Sequence, residues 1–198
     1  MGRTSFAQKK ILRAASNLFW HKGFESTSVS DILAETGLGS GSLYWFFQNK
    51  EDLLRAVMDS YLEKLERMLA EPALARSADP LERITIVFGF YRGILVENDF
   101  VLGCPIGNIA LELGDRYPVV REKVERLFEA WRAMIRRCLA PAAARIRPDE
   151  IESIAMFTLT VMEGGIMQAR AHRDILPFDE SVRHLLTHLR SIIETDHL

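Results

Sequence analysis

Apolar side chains recur at every third or fourth position through most of this chain, which is the spacing of one face of an α-helix. The first such segment contains Ile11, Leu12, Ala15, Leu18 and Phe19, and similar segments follow, separated by glycines and prolines. No run alternates apolar and polar residues over the length of a useful strand. The pattern therefore predicts an all-α protein of about nine helices.

The composition is that of a globular protein that needs no crosslinks. Of its 198 residues 48% are hydrophobic, and a chain of this size buries about 70% of its unfolded surface. Its two cysteines, Cys104 and Cys138, are too few for a disulfide framework and lack metal-binding spacing. No uncharged apolar run reaches the roughly 18 to 20 residues that a membrane span needs. We therefore expect a soluble protein of the reducing cytoplasm.

Charge is distributed unevenly along the chain. Residues 1–50 contain six Lys or Arg and three acidic residues, a net charge of +3, so that the remaining 148 residues have −5 of the total −2. A basic end on an acidic body suits a nucleic-acid-binding segment with a second task elsewhere. Ordinary solvent-exposed faces vary by as much, so charge alone leaves the function open.

Two short helices joined by a tight turn are predicted between residues 27 and 50. Ser28 begins the first helix, with Asp31 three residues later as in a capping box, and Gly37 closes it. The second helix covers residues 43–47. A helix-turn-helix places its second helix in the major groove of DNA. A small helical bundle without a DNA function has the same spacing.

Three runs in this region are specific enough to compare with a known family. They are TSVSDI at 27–32, GLGSGSLYWFF at 37–47 and NKEDL at 49–53. Together they resemble the DNA-binding region of the TetR/AcrR-type transcriptional regulators. The resemblance implies a bacterial homodimer, usually a repressor, whose C-terminal helices bind a small molecule that weakens binding to double-stranded DNA.

The resemblance also implies which side chains contact the operator. Three residues match positions that commonly bind phosphates: Thr27, Tyr44 and Lys50. Three others match exposed positions of the recognition helix: Ser40, Ser42 and Trp45. The chemistry agrees, because hydroxyls and lysine fix the register on phosphates while side chains at the start of a recognition helix reach base edges.

The recognition segment departs from the usual family pattern. Gly39 stands where the family often has a Ser or Thr cap, and Ser40 where it often has Lys. Phe46 replaces a frequent His or Tyr, and Leu33 a common Ala. Because residues 36–49 contain no charge, we expect hydroxyl hydrogen bonds and contacts with thymine methyl groups to contribute more to the readout.

The rest of the chain resembles the family less closely. Residues 103–112 (GCPIGNIALE) and 162–170 (MEGGIMQAR) resemble the sixth and eighth helices of a subgroup that includes regulators of drug efflux and electrophile response. The implied organisation is a helix-turn-helix DNA-binding domain at residues 1–50 and an effector-binding and dimerisation domain at residues 51–198.

In the family the last two helices pair with those of a second subunit as a four-helix bundle. One stripe that suits this role consists of Ile151, Ala155, Thr158, Met162, Gly165 and Ala169. The stripe opposite consists of Val182, Leu185, Leu186, Leu189 and Ile192. The other interpretation is that both stripes serve only the core of the monomer.

Candidate effector-binding residues are bulky, soft or polar side chains of the middle helices, suited to an adaptable apolar cavity. They are Phe88, Tyr91, Cys104, Asn108, Trp131, Met134, Met156, Met162, Glu163 and Met167. Each apolar member could equally be plain core. Glu163 is the single charged residue between residues 153 and 168. Its carboxylate could bind a cation or hydrogen-bond donor of a ligand, pair with a residue such as Arg92, or face solvent.

Nothing in the sequence indicates an enzyme, a cofactor or a metal. The histidines lie in no catalytic arrangement with carboxylates or cysteines, and His184 and His188 share a helix face but lack a third ligand. The glycines of residues 37–41 follow no strand, so they do not form a phosphate-binding loop. A purely architectural DNA-binding protein would not need so long an acidic body.

Cys104 offers an alternative trigger. If it precedes the helix that Pro105 begins, the positive end of the helix dipole favours its thiolate, and the protein would be an electrophile or oxidant sensor. A lone cysteine beside Leu102 and Ile106 also suits a buried small hydrophobe. Cys138 lies late in its helix and has no comparable dipole.

Overall fold

The computed structural model describes residues 2–147 and 149–194, and within these ranges it is helical without strands. Its ten α-helices are α1 (Gly2–Lys22), α2 (Val29–Thr36), α3 (Ser40–Phe46), α4 (Lys50–Leu65), α5 (Glu71–Arg76), α6 (Pro80–Glu97), α7 (Pro105–Leu113), α8 (Pro118–Leu139), α9 (Ile151–His172) and α10 (Leu176–Glu194). A π-helical turn at Glu66–Ala70 joins α4 to α5 without a break, and a 3-10 turn at Ala140–Arg145 extends α8. Counting α4 and α5 as one run gives nine helices, which confirms the prediction.

Local sequence explains where the short helices begin and end. The Ser28 hydroxyl accepts the backbone N–H of Asp31 (3.1 Å), and the Asp31 carboxylate accepts that of Ser28 (2.8 Å). This capping box satisfies two N–H groups at the start of α2. Hydrogen bonds from the Ser28 N–H and hydroxyl to the carboxylate lower the pKa of Asp31. Gly37 closes α2 in the left-handed conformation at φ +61, which glycine adopts without a steric penalty.

One compact unit comprises the described residues up to Leu62 together with Pro105–Val124. Here α1 packs against α2 and α3. The side chains that fix these three helices are buried apolar residues, namely Ile11, Ala15, Phe19, Phe24, Ile32 and Leu43. The buried stripe of α1 therefore determines the position of the helix-turn-helix.

The second compact unit comprises Glu63–Cys104 and the described residues from Glu125 onward. Here α10 packs along α9, and α6 contacts both. Aromatic contacts fill the centre of this unit, with ring centroids 5.3 Å apart for Tyr91 and Trp131 and 5.9 Å apart for Phe88 and Phe178. The unit boundaries fall within α4 and α8, so the functional division at residue 50 stays a prediction. None of the described helices could cross a membrane.

Candidate functional site

The recognition helix α3 presents an uncharged surface to solvent. Leu43 is buried and anchors the helix, whereas Tyr44 is 55% and Trp45 78% exposed. Ser40 is exposed and Ser42 partly so, and Gly39 caps the helix without a side-chain hydrogen bond. A large aromatic side chain left in water indicates a binding surface more than a packing role. These four positions face solvent, as the sequence comparison implied.

Thr27 has a different role from the expected phosphate contact. Its side chain is fully buried, and its hydroxyl donates to the backbone carbonyl oxygen of Gly23 at 2.7 Å. The only hydroxyl hydrogen is therefore used inside the loop that joins α1 to α2. In this conformation Thr27 stabilises that loop and has no donor left for DNA.

Lys50 also binds this loop. Its Nζ donates to the carbonyl oxygens of Phe24 (2.9 Å) and Thr27 (3.0 Å) and lies 4.2 Å from the centroid of the Phe24 ring. An ammonium group has three donors, so a phosphate could take only the one that remains. The family pattern located Lys50, but no sequence signal identified these loop carbonyls as its partners.

The same loop also donates hydrogen bonds to a side chain of α7, a contact that the sequence did not predict. The Glu112 carboxylate accepts the backbone N–H groups of Phe24 (3.0 Å) and Glu25 (2.8 Å). The pairs are 88 and 87 residues apart in sequence. Since a glutamate on an amphipathic helix usually faces solvent, only the tertiary structure could reveal this contact.

Most of the apolar effector candidates are buried in the second unit. They are Phe88, Tyr91, Trp131, Met134 and Met162. Two candidates are corrected, because Met156 is 48% and Met167 59% exposed. Both lie on the face of α9 opposite its buried residues, so they line no interior cavity of the monomer. Asn108 belongs to α7 in the other unit and is partly exposed.

Glu163 and Cys104 form a polar pair in the second unit. Cys104 is 3% exposed, and its thiol donates a hydrogen bond to the Glu163 carboxylate. Burial raises the pKa of Glu163, against the opposing effect of this hydrogen bond. Its Oε1 atom is buried and has no hydrogen-bond partner among the described residues. A buried acceptor of this kind suits a donor from a bound molecule.

The partner suggested for Glu163 is engaged elsewhere. Arg92 binds the Asp179 carboxylate through two hydrogen bonds of 2.9 and 3.0 Å.

The second cysteine, Cys138, has an environment that keeps its thiol protonated. Burial raises the pKa of the Cys138 thiol to about 11. At neutral pH that thiol is almost entirely protonated, and the thiolate is the reactive form.

The stripes proposed for dimerisation are partly buried within the monomer. Ala155, Thr158, Met162, Gly165 and Ala169 are buried, as are Leu185 and Leu189 of α10, whereas Ile151, Val182, Leu186 and Ile192 are half-buried. A Cβ atom at Gly165 would lie 3.1 Å from the Phe178 ring, so the glycine allows α9 and α10 to approach closely. The buried members pack within the monomer, and an interface on the last two helices stays a prediction.

The same two helices also leave a groove of about 500 Å³ open to solvent. It is lined by Phe157, Val161, Gly164, Gly165, Gln168, Glu180, Ser181, His184 and Leu185, so Gly165 and Leu185 of the two stripes also border it. The ring of Phe157, one of these residues, lies edge to face with that of His188, with centroids 5.7 Å apart. In the part of the chain that is described, no group of three or more His, Cys, Asp or Glu side chains could hold a metal ion.

Comparisons with known proteins cover both halves of the chain. Residues 11–57 match the family described as "Bacterial regulatory proteins, tetR family", and residues 80–184 match "Transcriptional regulator LmrA/YxaF-like, C-terminal domain". HTH-type transcriptional repressor DhaR from Mycobacterium sp. (strain GP1) is 27% identical over 183 residues, 91% of this chain and 90% of the relative. HTH-type transcriptional regulator YxaF from Bacillus subtilis is 28% identical over 171 residues, 86% of this chain and 88% of the relative.

The structural comparison agrees. The crystal structure of a TetR transcriptional regulator from Chloroflexus aurantiacus superposes with a TM-score of 0.83 at 32% sequence identity, over 96% of this chain and 97% of that one. The family resemblance of the N-terminal region is thereby confirmed and extended over most of the chain. The protein belongs to the TetR family of bacterial transcriptional regulators and is not an enzyme.

Proposed function

We propose that this regulator is a ligand-responsive repressor that binds a palindromic operator as a homodimer and is released by a small, mostly apolar effector. Residues 1–50 would bind DNA, and residues 51–198 would bind the effector and the second subunit, in the cytoplasm. The observation that carries the proposal is the exposed, uncharged surface of α3, which Leu43 anchors to the buried core of its unit. The repressor named among the relatives supports the direction of regulation.

Selection of binding sites from random double-stranded DNA tests this function. A two-fold dimer with one recognition helix per subunit should select an inverted repeat whose half-site centres lie one helical turn apart, roughly 34 to 36 Å. Thymine should be frequent at the contacted positions, because Trp45 offers an apolar surface and no charge. Recovery of sequences without an inverted repeat would contradict the proposal.

For the dimer, the groove between α9 and α10 is the surface that we propose. It is partly apolar, it lies on the last two helices, and the fold of the monomer leaves it open. Gly164 lies in this groove, and a Cβ atom there would meet nothing within 4 Å. A side chain added at Gly164 would therefore project into the groove without disturbing the monomer.

Gly164→Glu is expected to dissociate the dimer. The new carboxylate would be solvated in a monomer but would be buried without a partner in an interface, beside Glu180 of its own chain. We expect the dimer dissociation constant to rise by at least about tenfold, measured by analytical ultracentrifugation. Gly89→Glu is the matched control, because Gly89 is exposed on α6 and a Cβ atom there also meets nothing within 4 Å. A Gly164→Glu protein that stays as dimeric as Gly89→Glu would exclude this surface.

The effector site that we propose is formed by the buried aromatic and methionine residues of the second unit, with Glu163 as its polar anchor. The buried Oε1 of Glu163 supports this choice, because a bound cation or hydrogen-bond donor would satisfy it. An effector can release DNA only by binding better to the conformation that binds DNA poorly. Effector and operator should therefore weaken each other's binding by the same factor.

Stability should depend on pH through Glu163. Because burial raises the pKa of this carboxyl in the folded protein, the unfolded chain ionises first, near its ordinary pKa of about 4.3. Wild-type stability should then fall as pH rises above about 4, until the folded pKa is passed. Glu163→Gln cannot ionise, so its stability relative to wild type should increase between pH 4 and pH 8.

Urea unfolding across that pH range measures this difference. Glu97→Gln is the control, since Glu97 is an exposed glutamate on α6 of the same unit, and its difference from wild type should change little with pH. A Glu163→Gln difference that is equally flat would show that Glu163 is solvated rather than buried.

The thiol trigger finds no support in the surroundings of either cysteine. Cys104 is 3% exposed, and its thiol donates a hydrogen bond to the Glu163 carboxylate, so reagents in solvent have little access to its sulfur. Cys138 is fully buried, with a pKa raised to about 11. Non-covalent binding of an effector is therefore the trigger that we propose.

A further inference from the structure

The loop at residues 23–28, between α1 and α2, is held by two side chains of opposite charge. On one side the Lys50 ammonium donates to the carbonyl oxygens of Phe24 and Thr27. On the other side the Glu112 carboxylate accepts the N–H groups of Phe24 and Glu25. Both polar groups of the Phe24 backbone are thus bound by ionised side chains, from α4 and from α7.

Gly23 leaves space in the loop beside the Glu112 carboxylate. Gly23 has φ +86, and a Cβ atom there would lie 3.0 Å from Oε1 and 3.1 Å from Oε2 of Glu112. Glycine suits this position because other residues rarely adopt this backbone conformation, and because a Cβ atom would force the carboxylate to shift by a few tenths of an ångström. A second contact joins this loop to the segment just after α7. The Arg116 guanidinium pairs with the Glu25 carboxylate at 3.1 Å.

We propose that Glu112 is a positioning residue for DNA binding, through which α7 fixes the loop and hence the placement of α2 and α3. This inference rests on the proposed DNA-binding function. Charge-assisted hydrogen bonds to a carboxylate are roughly twice as strong as neutral ones, and two of them converge on adjacent peptide groups. Loss of Glu112 would leave both N–H groups without their acceptor and would free the start of the helix-turn-helix.

Glu112→Ala and Glu112→Gln test the proposal, with Glu122→Gln, an exposed glutamate of α8 in the same unit, as the matched control. We expect Glu112→Ala to weaken binding to the selected operator by about tenfold, and Glu112→Gln, which keeps one acceptor oxygen, by less. Removal of a negative charge alone would act in the opposite direction, because it strengthens attraction to phosphates. Glu122→Gln should therefore bind as wild type does or slightly more tightly.

Hydrogen exchange supplies a readout that needs no DNA. In Glu112→Ala the amides of Phe24 and Glu25 should both exchange at least about tenfold faster. In Glu112→Gln, which keeps one acceptor oxygen, at least one of the two should do so. The amide of Ile11, in the buried stripe of α1, should keep its protection in both variants. If Glu112→Ala does not fold, Glu112→Gln alone decides by the same two measurements. Unchanged exchange at Phe24 and Glu25, or operator binding as tight as wild type, would overturn the inference. Failure of the wild type to bind any selected DNA would instead overturn the proposed function.

Discussion

Replacing Trp45 with alanine is expected to weaken operator binding by about tenfold or more and to leave the fold intact. Trp45 is 78% exposed on α3, so its removal takes little buried surface from the folded protein. Burial of about 60 Å² of its apolar surface against thymine methyl groups would contribute about 1.5 kcal/mol, which corresponds to roughly tenfold in affinity. Because the contact is apolar, the salt dependence of binding should stay the same.

The measurement is a titration of labelled operator at two salt concentrations, with thermal unfolding as a check on the fold. Leu111→Ala is the matched control, because Leu111 is 86% exposed on α7 within the same compact unit but outside the helix-turn-helix. Its affinity should match wild type. Equal affinity for Trp45→Ala and wild type would remove Trp45 from the DNA-contacting surface.

Replacing Trp131 with alanine is expected to lower the free energy of unfolding by about 3–5 kcal/mol. Trp131 is 1% exposed, and its ring packs 5.3 Å from that of Tyr91. Removal of the indole would leave a cavity, and the expected loss is a large part of the roughly 5–15 kcal/mol that stabilises a typical domain. Urea unfolding of the variant and of wild type measures it.

Trp131→Phe separates packing from effector binding. It keeps a buried ring, so most of the stability should remain, and the shape of the proposed effector site should change. We therefore expect altered effector affinity with nearly unchanged operator affinity, measured by calorimetry with a compound that stabilises wild type in a thermal-shift screen. A Trp131→Ala variant that is as stable as wild type would place the Trp131 side chain at the wall of an open cavity and not in the core.

Local sequence was sufficient to predict most of the elements, although α3 begins at Ser40 and not at residue 43. The Ser28 and Asp31 pair, Gly37 and Pro80 act on groups within about four residues, and each is observed where its chemistry requires. Helical periodicity likewise depends only on neighbouring positions. The helix-turn-helix could therefore be located before any tertiary contact was known, and the exposure of Ser40 and Trp45 followed from the family pattern.

The tertiary structure decided which face of each helix is buried and which distant groups meet. Periodicity finds an apolar stripe on α9 but does not say whether a second subunit or α10 covers it, and here α10 and its neighbours do. Met167 is exposed because it lies on the face of α9 opposite the one that these helices cover. The roles of Lys50 and Glu112 depend on loop backbone groups that lie 23 to 88 residues away. Such pairings arise only when packed helices bring remote segments together, so local sequence rules carry no information about them.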